Sequence, residues 1–270
     1  MKTKLLITAV LLIGFTGFGQ EENEENKKSS DTTRISYNGR VITVHFEEDS
    51  IEIEKDDKWE VNHWRGLEFG MNGYFTSDNF EINNDPNNTY LELELDYAKS
   101  FMINMNLFEF NTKIGTEKFR FMTGLGFRFN RYAFKSTNTS LSYNDTTIYS
   151  SIDSTKTIDK NFLNTTYLSA PLYLTFMPGN DPNKSFHISV GAVFNYRIGS
   201  RLKQKYTLED QKRKDINRGH YHINPLLVDA SVRMGVGDFT VFANYGLTSL
   251  FEKNKGPEYY PFSAGISLNF

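Results

Sequence analysis

The chain contains no cysteine. That excludes a disulfide framework, a thiol nucleophile, thiolate metal sites and the lipidated cysteine of a lipoprotein. Long apolar runs are missing as well. Beyond residue 19, no segment approaches the ~18 consecutive apolar residues of a transmembrane helix. Charge of one sign is not in large excess: a formal net charge of −3 over 270 residues gives no reason to expect a nucleic-acid partner. Aromatic residues, in contrast, are plentiful. They make up 15% of the chain, and 23 Phe and 15 Tyr against 2 Trp supply nearly all of it.

Residues 1–19 read as a signal peptide. Lys2 and Lys4 form the charged start, and Leu5 to Phe15 forms an apolar core too short to span a bilayer. Gly17-Phe18-Gly19 supplies the small residues expected before cleavage at Gln20. Residues 20–33 are polar and of low complexity, a flexible linker. Residues 34–62 change character. Ile35 and Tyr37 precede Asn38-Gly39, and Val41 to Phe46 follow, which is the strongest short hairpin signal. Ser50 to Glu54 allows a third short strand. This segment is predicted to be a small periplasmic β unit.

From residue 63 to 270 the pattern is long strands of period two. Eight are predicted: Trp64–Phe75, Leu91–Leu107, Phe119–Phe134, Leu163–Phe176, Phe186–Ile198, Asn224–Val236, Phe239–Thr248 and Pro261–Phe270. Each is about as long as the ~9–11 residues that a tilted membrane strand needs, or longer. Short connections alternate with long ones, the asymmetry of outer-membrane barrels. In most strands the face opposite the apolar one holds Gly, Ser, Asn and Thr rather than the Lys and Glu of a water-facing surface. A soluble lipocalin-like barrel would need the latter. Aromatics mark two rims: Trp64, Phe119, Phe176, Phe186, Phe239 and Phe270 on one, and Tyr132, Tyr167, Tyr196, Tyr245 and Phe262 on the other. The expected fold is all-β, an eight-stranded antiparallel up-and-down transmembrane barrel with a short N-terminal β-hairpin segment. An even strand count would leave both termini in the periplasm. Pro171, in mid-strand, removes a ladder hydrogen bond and predicts a local bulge.

Four stretches carry a family pattern. They are His63-Trp64-Arg65-Gly66-Leu67-Glu68-Phe69-Gly70-Met71-Asn72-Gly73-Tyr74, Lys99-Ser100-Phe101 through Asn106-Leu107, Thr123-Gly124-Leu125-Gly126-Phe127-Arg128-Phe129-Asn130-Arg131-Tyr132, and Tyr167-Leu168-Ser169-Ala170-Pro171-Leu172. With these the chain resembles the PorT-like outer-membrane β-barrel family of Bacteroidota over about residues 31–270. The resemblance implies an outer-membrane location and a proline-bearing strand. It implies no defined activity, although the member that names the family is associated with protein secretion and gliding.

Candidate sites follow from the faces. Ile266, Leu268 and Phe270 form an apolar, aromatic-ended closing strand, expected to be read by the barrel assembly machinery. Glu68, Arg128, Arg197, Asp229 and Arg233 fall on the predicted lumen face. Buried there, they must pair; a narrow ion path or small-ligand pocket is the other use of such a set. The loop Arg201–His222 is basic, and Arg201, Lys203, Lys205, Lys212, Arg213 and Lys214 would meet lipopolysaccharide phosphates on an external surface. His220 and His222 have a spacing compatible with metal, without an evident third ligand. His187, Ser189 and Asp229 are the residue types of a hydrolytic triad. No cofactor is implied. The function expected is a non-enzymatic envelope protein with a structural or interaction role, its partners being outer-membrane lipid, lipopolysaccharide and an unidentified envelope protein. An outer-membrane enzyme acting on lipid or peptide and a narrow channel are the alternatives.

Overall fold

The computed structural model describes residues 32–37, 40–45, 50–55, 63–76, 93–152, 157–179, 185–208 and 211–270. Near the N-terminus β1 (Thr32–Tyr37), β2 (Arg40–His45) and β3 (Ser50–Lys55) form a three-stranded sheet in that order. The third strand allowed by Ser-Ile-Glu-Ile-Glu is therefore present. The Asn38-Gly39 turn, the leader and most of the linker lie outside the described residues.

The second unit begins with β4 (Gly66–Thr76), β5 (Phe101–Ile114) and β6 (Thr116–Ala133). A separate hairpin of β7 (Thr139–Tyr143) and β8 (Ile148–Ile152) comes next. Then come β9 (Thr157–Phe176), β10 (Phe186–Leu208), β11 (Gln211–Arg218), β12 (Leu226–Val236), β13 (Phe239–Gly246) and β14 (Tyr259–Asn269). Eight of these strands, all but β7, β8 and β11, close into an antiparallel barrel. The seam pairs β14 with β4, from Tyr259 opposite Thr76 to Asn269 opposite Gly66. At its foot the Phe270 N–H donates to the Arg65 carbonyl at 3.1 Å, and Arg65 Nε donates back to the Phe270 carbonyl at 2.6 Å.

Burial shows which way the alternation points. On β4, Phe69 is 56% exposed while its neighbour Glu68 is 2% exposed. Leu172 and Leu174 on β9, Val190 and Phe194 on β10, Val232 and Met234 on β12 and Ile266 and Leu268 on β14 also face outward. This is a soluble protein turned inside out. On β10 the outward apolar stretch from Phe186 to Ile198 covers roughly 40 Å of strand, about 30 Å along the barrel axis at a tilt of ~40°. That matches a bilayer's hydrocarbon core.

Several expectations need correction. Leu93 and Leu95 do not share the outward face of Ile103 and Met105; both are buried. A turn at Asp96–Lys99, closed by Lys99 N–H to the Asp96 carbonyl and by a 2.6 Å Lys99–Asp96 ion pair, breaks the phase before β5 begins. Trp64, Tyr132 and Tyr167 are buried rather than set in the rims, so the aromatic girdles lose those members. Their rings fill the barrel ends instead. Pro171 causes no bulge. It stays in register opposite Val193, while the ladder to β6 opens between Thr123 and Gly126 with the register preserved. The Thr123 hydroxyl donates to the Pro171 carbonyl at 2.8 Å. The segment around Leu141 and Ile148 forms the separate β7–β8 hairpin, and both side chains are buried.

The basic segment after Ile198 is not a loop. β10 runs on to Leu208 and returns as β11. A register shift between Arg197 and Gly199 marks an extra residue, Ile198, on β10. A bulge moves every later side chain to the opposite face. Below it the even-numbered Phe194 and Tyr196 point outward; above it the even-numbered Leu202, Gln204 and Tyr206 are buried.

Candidate functional site

The lumen is built from side chains that alternate with the outward belt. Arg233 Nη1 donates to Glu68 Oε1 at 2.5 Å. Glu68 also accepts from Asn104 Nδ2 at 2.5 Å and from Asn106 Nδ2 at 2.8 Å. The Arg233 guanidinium lies over the rings of Tyr173 and Phe242, 5.8 and 5.7 Å from their centroids. A second pair joins Arg128 to Asp229. Asn195 Nδ2 donates to Asp229 at 2.9 Å, and Ser169 Oγ donates to Asn195 Oδ1 at 2.7 Å. The structure thus brings together four of the five predicted lumen charges. Arg197 stands apart, beside the bulge, where its guanidinium donates to Ser200 Oγ at 3.2 Å and to the His220 carbonyl at 2.9 Å. Low dielectric rewards such pairing only when the geometry and the remaining hydrogen bonds are good, and both pairs here have amide partners.

Little space remains. The cleft between Asn72, Arg128, Tyr167, Asn195, Asp229 and Ser263 measures about 10 Å³, room for at most one water. Both ends are filled. At the end with the β-hairpin, Leu93, Leu95, Leu141, Ile148, Tyr221 and Phe251 belong to one apolar cluster. The β7–β8 hairpin is tied there by Ile148 N–H to the Lys255 carbonyl at 2.9 Å. At the end with the seam foot, Trp64 packs with Met122, Tyr173 and Val193. His63 stacks on His187 at 3.8 Å.

Glu109 organises that second end. Its carboxylate accepts from three consecutive backbone N–H groups, those of His63, Trp64 and Arg65, at 2.7–3.1 Å. Concentrated amides of this kind favour an anion. Glu109 reaches them because β5 carries a bulge between Asn106 and Phe108, which leaves Leu107 and Phe108 both exposed and turns Glu109 inward. Sequence analysis missed this residue. The signal was the adjacent apolar pair Leu107-Phe108, which breaks the alternation. Gly124 completes the fit, since a methyl there would clash with the Phe108 backbone carbonyl and lie 2.9 Å from the Trp64 ring.

The triad candidates are not brought together. His187 Nε2 meets Thr240 Oγ1 at 2.9 Å, Ser189 Oγ meets Thr175 Oγ1 at 2.7 Å, and Asp229 is held by Arg128. His220 and His222 do lie together, their ring centroids 4.6 Å apart, but their nitrogens are engaged elsewhere. His222 Nε2 meets the Asn144 carbonyl at 2.6 Å, and His220 Nδ1 accepts the His222 N–H at 3.1 Å. Tyr221 and His222 between them hold two successive positive φ values, 47° and 44°. Burial, with His222 and Arg197 nearby, pushes the His220 imidazole below its usual range. Among the described residues no group of three or more His, Cys, Asp or Glu side chains could hold a metal ion.

The basic set divides by face. Directly opposed residues on β10 and β11 are Arg201 with Arg218, Lys203 with Ile216, Lys205 with Lys214 and Thr207 with Lys212. These share the outward face, because Leu202, Gln204 and Tyr206 between them are buried. Arg213, opposite Tyr206, lies on the other face and leaves the predicted group. Arg218 joins it. Burial and the neighbouring Lys214, Lys205, Arg131 and Arg201 push the Lys203 ammonium below its usual range. Ile266, Leu268 and Phe270 are exposed on the outside of the barrel, beside the seam.

A family model described as outer membrane protein beta-barrel domain matches residues 13–252, a span that holds every barrel strand except β14. No curated protein matches the chain. No solved structure matches it.

Proposed function

The chain belongs to the outer membrane protein beta-barrel domain family, and we propose that this integral outer-membrane protein works through its surfaces and not through its lumen. The role proposed is non-enzymatic: a structural or interaction component of the envelope. The observation that supports it most is the filled barrel. Among the described residues, two buried ion pairs, a cleft of about 10 Å³ and apolar clusters at both ends occupy the lumen, which supports a barrel that does not conduct. The β1–β3 sheet and the outer faces of the β7–β8 and β10–β11 hairpins are the surfaces we expect to meet other molecules.

We place the seam foot, with both termini, in the periplasm and the long hairpins outside. The tight turns at Gly115 and Gly237-Asp238 and the longer elements at the other end have the asymmetry of such barrels. The outward Ile266, Leu268 and Phe270 then face the machinery that inserts the barrel from the periplasmic side. The finer resemblance to the PorT-like proteins of Bacteroidota makes a secretion-related partner one candidate for the periplasmic sheet.

Protein reconstituted in planar bilayers is expected to show no steady conductance, and to release no product from lipid or peptide substrates. Steady single-channel steps, or turnover abolished by His187→Ala, would replace this reading with the channel or the enzyme. For orientation, Lys212→Cys is expected to react with a membrane-impermeant maleimide on intact cells while Asp238→Cys does not. The reverse pattern inverts the assignment.

A further inference from the structure

The outward face of the β9–β10–β11 extension carries a concentration of positive charge that folding alone does not account for. Register sets it out in rows. One row runs Arg131 on β6, Asn164 on β9, Arg201 on β10 and Arg218 on β11. Above it stand Phe162, Lys203 and Ile216, then Lys160, Lys205 and Lys214. Three directly opposed pairs are cation against cation: Arg201 with Arg218, Lys205 with Lys214 and Lys205 with Lys160. Like charges directly opposite destabilise a sheet. Among the described residues none of these side chains forms an ion pair. Asp159, at the upper margin, accepts from the Thr207 hydroxyl at 3.3 Å.

Charge on β11 alone would be explained as protection of an open sheet edge. Arg201, Lys203 and Lys205 lie on β10, however, and Arg131 and Lys160 on β6 and β9, all of them strands paired on both sides. The bulge at Ile198 sends the β10 cations outward. They sit directly above the apolar belt that Phe194, Tyr196 and Ile198 continue on the same outer surface. A molecule lying against both zones needs an apolar tail and an anionic head. The Arg131 guanidinium, stacked 4.6 Å over both Phe101 and Phe162, stands where the two zones meet.

We propose that this face is a binding site for the phosphate groups of lipopolysaccharide in the surrounding outer leaflet, its arginines and lysines taking the place of the divalent cations that otherwise bridge those phosphates. The proposal rests on the orientation given above. Arg forks and Lys ammonium groups suit phosphate oxygens, and an arriving phosphate turns three repulsive cross-strand pairs into shared contacts.

The test uses purified full-length barrel in detergent, titrated with lipopolysaccharide, with enzymatically dephosphorylated lipopolysaccharide, with phosphatidylglycerol vesicles and with inorganic phosphate. Intact lipopolysaccharide is expected to bind without added Mg²⁺, and to lose on the order of a hundredfold in affinity in Arg201→Gln/Lys205→Gln, about two charge-assisted contacts. Arg213→Gln, on the opposite face, should bind as the parent does. The same double variant should unfold at a temperature equal to or above that of the parent, because it removes like-charge pairs. A purely structural role predicts the opposite. Equal binding of the dephosphorylated form, of phosphatidylglycerol or of free phosphate overturns the proposal, as does unchanged affinity in the double variant. Binding in detergent does not depend on topology. A failed maleimide test with binding intact would therefore overturn the orientation alone, and lost binding with the expected labelling would overturn the site alone.

Discussion

Removing one partner of the Glu68–Arg233 pair should cost far more than removing both. The two are 2.5 Å apart, each about 2% exposed, and lie on β4 and β12 with the lumen between them. Glu68→Gln leaves a guanidinium buried without a carboxylate, with Tyr173 and Phe242 ring faces beside it. The expected loss is about 3–5 kcal/mol. Arg233→Met leaves a carboxylate that still accepts from Asn104 and Asn106, so its loss belongs at the lower end of that range, about 3 kcal/mol. In the double variant the introduced glutamine keeps an acceptor for the asparagines, and methionine fills the guanidinium's place without charge. It should lie within about 1 kcal/mol of the parent, giving a coupling energy of roughly 5 kcal/mol or more. Urea unfolding in lipid vesicles, followed by tryptophan emission and by heat-modifiable mobility in electrophoresis, measures all four proteins. Additive losses, with the double variant the least stable, would refute the idea that an uncompensated charge is what destabilises the single variants.

Other outcomes follow from the same geometry. Val190→Arg, opposite Leu174 and Val232 in the middle of the belt, should lower barrel stability by about 2–4 kcal/mol, while arginine at exposed Thr116, beside the Gly115 turn and beyond the belt, should be near neutral by the same unfolding assay. Trp64→Ala should cost about 3–5 kcal/mol, and Glu109→Gln should leave the global midpoint closer to the parent while admitting protease to residues 63–65, read by mass spectrometry. Gly124→Val should also destabilise the barrel, since its side chain would clash with the Phe108 backbone carbonyl as well as with the Trp64 ring. Lys255 and Lys99 hold the carboxyls of Glu252 and Asp96 below the usual range, mainly through direct hydrogen bonds. Their stabilising contribution is present above the unfolded carboxyl pKa of about 4 and is lost as pH falls below it. Protection against hydrogen exchange at the hairpin end, taken relative to the intrinsic exchange rate at each pH, should accordingly fall in acid, and protection that does not change with pH would count against these contacts.

The barrel was legible because a membrane strand has only two faces and each is chemically uniform. Leu67, Phe69 and Met71 against Glu68 and Asn72 needed no further information. What escaped were the places where one extra residue exchanges those faces. Above Ile198 the sequence keeps its even-numbered apolar positions, Leu202 and Tyr206, as though nothing had changed. Their meaning reverses, because outside the hydrocarbon an apolar side chain belongs inside. Periodicity records that two faces differ and not which solvent each one meets. The same blindness placed Tyr132 and Tyr167 at a rim. The lumen pairs were half legible: alternation put Glu68, Arg128, Asp229 and Arg233 on one side, but pairing β12 residues with partners on β4 and β6 needed the closed cylinder. For Glu109 the clue was present and unused.

The clasp between Arg65 and Phe270 joins residues 205 positions apart. Hairpin pairs such as β12 with β13 close short loops and can form early. The seam closes a span of 205 positions, and loop closure over such a span is slow. Until it forms, β4 and β14 are both open edges, each ready to pair with another chain. Arg65 holds the last residue with its side chain and its backbone together, so the contact exists only when β14 has arrived in register. Its arrival separates a finished cylinder from an unfinished sheet, and a chain held back at that step would aggregate and not merely fold late.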